Sequence, residues 1–365
     1  MLAMEPLKAY SLSDIRHLKA HGRTTGRLDP LTLFWTGSGM ELNARGSELW
    51  LEVEVAYEHY EPWIAIVING VTVSRLMLTA GRYWLCLFRG MNKEVVKNVR
   101  IVKETQAMSG DPLCALHCHA VKFDGEFLLV PDKPYRIEFI GDSITSGEGA
   151  IGAKAEEDWI PMWFSAIDNY SALAANALNA DYRVVSQSGW GVRTSWDNNP
   201  SYNIPDCYEQ VCGLLTGDKN AAFGAFEPYD FDSWQPDLVV VNLGTNDGAA
   251  CRNEDGTYNL EGISAFERSA ERFLHKLRRR NKHAHIVWAY GMLGTPMLPA
   301  IRRAVTAYSN ESGDRKVTVL ELPDLTQETV GARSHPGRLA HERAAETLAN
   351  SLRAILDDLP ENKPQ

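Results

Sequence analysis

The N-terminal third of the chain alternates. In Glu48–Val55 (ELWLEVEV), Leu49, Leu51, Val53 and Val55 share one side while Glu52 and Glu54 face the other. That period of two predicts a half-buried strand. Trp63–Ile68 and Val71–Leu76 flank Asn69-Gly70 and predict a hairpin, because Asn-Gly supplies the positive φ angles of a tight turn. Tyr83–Phe88, Val99–Lys103, Ala115–Lys122 and Glu126–Val130 read as further short strands with no convincing helix among them. The pattern predicts an all-β sandwich over residues 1–132.

Past Pro131-Asp-Lys-Pro134 the periodicity changes. Tyr135–Ile140, Tyr182–Ser186, Leu238–Asn242, His285–Tyr290 and Val317–Leu322 are compact apolar runs, each long enough for one buried strand. Helical spacing appears between and after them, at Asn169–Leu178, Ile263–Arg280, Met297–Asn310 and Pro336–Leu356. Strands alternating with helices predict a parallel sheet covered on both faces, an α/β domain of three α/β/α layers over residues 133–365.

Bulk properties narrow the choice of partners. A length of 365 residues suits two domains, and 44% hydrophobic with 23% charged residues is the balance of a soluble globular protein. A net charge of −10 argues against nucleic acid or an anionic membrane as partner. No run approaches the ~18 apolar residues of a membrane span. The N-terminus lacks a basic start followed by an unbroken apolar stretch, and the six cysteines form no disulfide framework. These features lead us to expect a cytoplasmic protein; the oligomeric state is left open.

Four short blocks carry the candidate chemistry. Tyr135–Ile140 runs into Gly141-Asp142-Ser143-Ile144-Thr145-Ser146-Gly147, which puts Ser143 at the carboxyl end of the first parallel strand, where open α/β sheets hold their active sites. Taken alone, this triplet is equally a tight turn with a capping serine. Ser188-Gly189-Trp190-Gly191 and Gly244-Thr245-Asn246-Asp247 follow the next two strands on the same edge of the sheet. The N–H groups of Ser143 and Gly189 and the Asn246 amide are candidate donors to an oxyanion. Ser334-His335-Pro336-Gly337 opens the last helix, and the His335 imidazole can take and return a proton near neutral pH. Each block is weak alone; their order along the chain is what an esterase requires.

Together, GDSITSG, SGWG, GTND and SHPG resemble the four blocks of the SGNH, or GDSL-type, hydrolases, whose catalytic domain is flavodoxin-like. With the β-rich region in front, the whole chain resembles carbohydrate esterase family two, in which a jelly roll precedes the SGNH domain. The resemblance implies an O-acetyl esterase acting on plant cell-wall-derived oligosaccharides such as xylan or mannan fragments, without metal or organic cofactor. It implies Ser143 as nucleophile, His335 as base, and Ser143, Gly189 and Asn246 as oxyanion donors. SGNH enzymes usually carry Asp three residues before the histidine, and here that residue is Ala332. The resemblance then implies a Ser–His dyad with a main-chain carbonyl orienting the imidazole, for which Ser334 is the candidate. A lipid or thioester acyl hydrolase on the same fold, or an inactive carbohydrate-binding protein, are the competing readings.

Two further signals remain. Trp163, Trp190, Trp196 and Trp288 lie near the blocks, and Trp190 and Trp288 are taken as substrate-binding aromatics, since sugars stack on rings. Cys114-Ala-Leu-His117-Cys118-His119 looks like a metal cluster. In a strand, though, its cysteines and histidines point to opposite faces, so we expect no metal there. His341 reads as helix surface.

Overall fold

The computed structural model describes residues 6–358. The described chain divides into two compact units. The first runs through Asp132 and also takes in Ile160–Met162 and Gln210–Pro228; the second comprises Lys133–Trp159, Trp163–Glu209 and the chain from Tyr229. Two segments that lie beyond residue 133 are thus part of the first unit. Among the described residues no helix is long and apolar enough to cross a membrane.

The first unit is built from two antiparallel sheets. In one, the strands run in the order Lys8–Ser11, Ala115–Phe123, Glu48–Ala56, Gly81–Arg89, with Leu31–Thr32 also paired to Ala115–Phe123. In the other the order is Glu126–Leu128, Gly39–Arg45, Val96–Lys103, Trp63–Ile68, Val71–Met77, with Lys19–His21 against Gly39–Arg45. The alternation read from the sequence becomes a shared core. Leu49, Leu51, Val53 and Val55 meet Met40, Leu42, Ile64 and Ile66 of the other sheet, while Glu52 and Glu54 stay outside it. Asn69 and Gly70 take φ of 52° and 79°, the values the hairpin turn demands. The later segment is stitched in by its own backbone. Val211 and Cys212 donate to Glu227 and Ala225 at 2.9 and 2.7 Å, and the buried Trp35 indole donates to the Val211 carbonyl at 2.7 Å.

The second unit holds a five-stranded parallel sheet in the order Ala180–Ser186, Tyr135–Gly141, Leu238–Asn242, His285–Gly291, Val317–Leu322. On one face Ile137, Phe139, Val184, Val240 and Val287 share a core with Ala174 of the Tyr170–Ala177 helix and with Ala344, Leu348 and Leu352 of the Arg338–Asp357 helix. On the other lies the Leu260–Arg280 helix, packed beside Leu298–Ser312; its Phe273 meets Tyr208 edge-on, and the Tyr208 hydroxyl donates to Glu138 at 2.6 Å. This is the three-layer arrangement expected from the alternating pattern. Gly141 stands in register with Ser186 and Asn242, so the three loops that follow leave the sheet at one level.

One helical residue departs from its sequence reading. His341 is not surface: it is fully buried, lies parallel to the Tyr170 ring at 6.1 Å, and its Nδ1 accepts the Tyr170 N–H at 3.2 Å. Burial drives its pKa down to about 3, so it packs as a neutral ring.

Candidate active site

Ser143 is the first residue of the short Ser143–Ser146 helix that follows the first parallel strand. The Asp142 side chain caps it by accepting the Ile144 N–H at 3.0 Å. Residue 141 must be glycine: a Cβ there would lie 1.9 Å from Thr145 Oγ1 and 2.8 Å from the Asn242 carbonyl. Behind the serine, Asn169 donates to the Ile144 and Thr145 carbonyls at 3.0 and 2.9 Å, and Ser146 donates to Ser186 at 2.8 Å. The serine therefore rides on a turn pinned from both sides.

The fourth block reaches it from the other end of the chain. His335 Nε2 lies 2.9 Å from Ser143 Oγ, and His335 Nδ1 lies 2.7 Å from the carbonyl of Arg333. A carbonyl can only accept, so Nδ1 carries the proton and Nε2 presents its lone pair to the serine hydroxyl. The orienting carbonyl is that of Arg333, which corrects the expectation of Ser334. Arg333 and Ser334 both adopt left-handed backbone, with φ of 59° and 53°, and this double turn aims the earlier carbonyl at the ring. The loop is closed by Gly331 donating to the His335 carbonyl at 2.7 Å and Gly337 donating to Thr329 at 2.9 Å. It also lies tight against residues 149–152. A Cβ on Gly149 would stand 2.4 Å from the Ala332 carbonyl and 2.7 Å from His335 Cβ.

The Gly189 loop is shaped by Asp247, the last residue of the third block. Asp247 accepts the N–H groups of Val192 and Arg193 at 2.8 Å each and of Thr194 at 3.3 Å. Burial raises its pKa to about 6 despite these donors. It holds the loop and does not touch the imidazole's Nδ1. Asp142 is pushed further, to about 7, by burial and then by the charges of Asp247 and Glu148. Asn246 Nδ2 donates to the Trp190 carbonyl at 3.0 Å and lies 3.3 Å from Asp142 Oδ2, so Asn246 bridges the Gly189 and Ser143 loops. No partner takes the Ser143 or Gly189 N–H among the described residues. The structure thus brings Ser143, Gly189, Asn246 and His335 to one edge of the sheet.

The aromatics separate. Trp288 is fully buried and its indole donates to the Leu243 carbonyl at 3.0 Å, so its assignment as a substrate-binding ring is corrected: it is core, with no free face. Trp190 is largely covered and stacks on Tyr202 at 5.3 Å. Trp196, by contrast, is 64% exposed, and its ring edge lies 3.0 Å from where a Cβ on Gly189 would stand. Trp196 therefore has an open face beside Gly189, whereas Trp190, the residue singled out by its place between Gly189 and Gly191, does not. In the first unit, Cys118 joins the core while His117 bonds Thr32 at 2.9 Å and His119 bonds Glu54 at 2.9 Å, so that cluster does not converge. Elsewhere Glu271, His275 and Glu311 bring three possible ligand atoms within 4.8 Å of one another, on the Leu260–Arg280 and Leu298–Ser312 helices.

Comparison with known proteins places this geometry. Residues 139–343 match the GDSL-like lipase/acylhydrolase family. The chain belongs to that family. Over 96% of its length it superimposes on 99% of an acetyl xylan esterase, Est2A from the rumen bacterium Butyrivibrio proteoclasticus, with 43% identity and a TM-score of 0.94. It also superimposes over 94% of its length on the whole of a family two carbohydrate esterase from Clostridium thermocellum solved with cellohexaose, at 26% identity and a TM-score of 0.79. An acetylxylan esterase/glucomannan deacetylase from Cellvibrio japonicus is 27% identical over 93% of this chain and 89% of the relative. The cellulase/esterase CelE of Acetivibrio thermocellus is 28% identical over 87% of this chain, which spans only 37% of that longer protein. Those relatives are named as esterases, which are carboxylic ester hydrolases.

Proposed function

We propose that this protein removes O-acetyl groups from acetylated oligosaccharides through a Ser143–His335 dyad. The observation that carries the reading is the pair of bonds on His335, 2.9 Å to Ser143 Oγ and 2.7 Å to the Arg333 carbonyl. Ser143 attacks the acetyl carbonyl as its proton passes to Nε2, the same proton goes to the departing sugar hydroxyl, and water drawn by the neutral imidazole hydrolyses the acetyl-enzyme. The N–H groups of Ser143 and Gly189, with Asn246, receive the oxyanion. The exposed Trp196 offers its face to a sugar ring. The substrates named for the relatives, xylan and glucomannan, support a plant cell-wall glycan as the source.

The test is acetate release from acetylated xylo- and manno-oligosaccharides, run beside butyrate and longer acyl esters. Turnover of the acetylated sugars that is lost in Ser143→Ala is expected. Preference for long acyl esters would move the protein to lipid substrates, and binding of sugars without turnover would make it a binding protein.

A further inference from the structure

The carbonyl that orients His335 is neutral, so the charge that an aspartate would place behind the imidazole is missing from that side. A carboxylate nevertheless lies at the other edge of the ring. Glu148 is almost wholly buried, its own N–H donates to the Ser143 carbonyl at 3.0 Å, and its Oε1 stands 4.0 Å from His335 Nε2. The same oxygen is 3.4 Å from Arg333 Nε. Arg333 is held elsewhere too: its N–H donates to Glu156 at 2.7 Å and its Nη1 to the Glu157 carbonyl at 2.8 Å. One residue thus supplies both the carbonyl on Nδ1 and the guanidinium that anchors the carboxylate beside Nε2.

We propose that Glu148 is a positioning residue that takes over the electrostatic part of the absent aspartate, stabilising the imidazolium from the Nε2 edge while Arg333 fixes its place. The idea rests on the Ser143–His335 reading. When His335 takes the serine proton, positive charge spreads over both ring nitrogens, and a carboxylate a few ångströms away lowers the energy of that state. The Arg333 guanidinium on the same oxygen offsets part of the effect. At 4.0 Å the carboxylate is outside hydrogen-bonding distance, so it does not draw the Nε2 proton away from the leaving group.

The sign of the effect makes it testable. A nearby negative charge favours the imidazolium, so removing it should move the acid limb of the kcat/KM profile to lower pH. Removing the positive charge of Arg333 does the opposite. We expect Glu148→Gln to shift the limb down by about 0.5–1 pH unit, and Arg333→Gln to shift it up, since opposite charges within ~4–6 Å commonly move a pKa by about 1–3 units and here they partly cancel. On the plateau, Glu148→Gln should lose about tenfold in kcat, a 1.4 kcal/mol effect. Glutamine still accepts from Arg333, so a purely structural role for Glu148 predicts an unmoved limb. Shifts of opposite sign in the two variants support the inference; an unmoved limb in folded Glu148→Gln, or shifts of the same sign, overturns it. If Glu148→Gln does not fold, the direction in Arg333→Gln decides alone, an upward shift supporting the inference and any other result overturning it. Activity surviving in Ser143→Ala would instead sink the dyad itself.

Discussion

Asp247→Asn separates the shaping of the Gly189 loop from the stability of the fold. The carboxylate accepts three main-chain N–H groups, two on Oδ1 and one on Oδ2. Asparagine keeps one oxygen, best placed toward Arg193 and Thr194, and turns its NH2 toward the Val192 N–H. One buried donor is left facing another, at a cost of about 1–3 kcal/mol. Against this stands the cost of holding a buried charge. The Asp247 pKa is raised from 3.8 to about 6, so stability is full below pH ~3.8 and falls as pH rises through ~6, by about 3 kcal/mol once the group is ionised. Asparagine removes that cost. At pH 8 the two effects nearly cancel and Tm should move by only a few degrees. At pH 4, where the wild-type group is already neutral, the variant should be the less stable protein. Catalysis has no such compensation. Drift of the Val192–Thr194 segment takes the Trp190 carbonyl off Asn246 and the Gly189 N–H off the oxyanion, and kcat on 4-nitrophenyl acetate should drop about 10–100-fold, part of the ~10²–10³ for losing a donor. Thermal melts at both pH values and steady-state kinetics at pH 8 check this. Wild-type kcat in Asp247→Asn would refute the loop-holding role, and a loss near 10⁴ would make Asp247 a triad acid.

Other expectations follow from the same geometry. Asn246→Ala should lower kcat by about 10²–10³ with a smaller change in KM, read from Michaelis curves. Gly149→Ala adds a Cβ 2.4 Å from the Ala332 carbonyl at a φ of 76°, and should cost about 10²-fold in kcat/KM by displacing His335. Trp196→Ala should raise KM for oligosaccharides several-fold, while leaving 4-nitrophenyl acetate untouched, because only the longer substrate reaches the ring. His341→Phe should flatten the acid limb of stability: with a pKa of about 3 folded and ~6.5 unfolded, wild type loses about 2 kcal/mol between pH 7 and 5, measured by urea unfolding.

The parallel strands were legible because each is a short apolar run bounded by turn residues, and Leu238–Asn242 and Val317–Leu322 appear with the bounds read from the sequence. Gly39–Arg45 escaped notice although Met40, Leu42 and Ala44 alternate, since its glycine start and single charged ends give a weak period. Lys8–Ser11, Lys19–His21 and Leu31–Thr32 are too short to carry any. Ser143 and His335 could be paired through block order, but the orienting carbonyl could not be placed, because two consecutive left-handed residues decide which oxygen faces the ring. Trp288 reads from the sequence as a sugar-binding ring and His341 as helix surface; in both cases only the packing shows a ring buried in the core with a polar atom bonded to a backbone group.

The membership of Gln210–Pro228 in the first unit has a consequence for biosynthesis. The buried Trp35 indole donates to the Val211 carbonyl, 176 residues further along. A ribosome adding about 5–20 residues per second takes roughly 5–20 s to pass from Asp132 to Pro228. During that interval the N-terminal sandwich is a nascent intermediate with an indole donor waiting for its partner. The two units cannot therefore mature strictly one after the other: the first is completed only after Lys133–Trp159 and Trp163–Glu209 of the second have been synthesised.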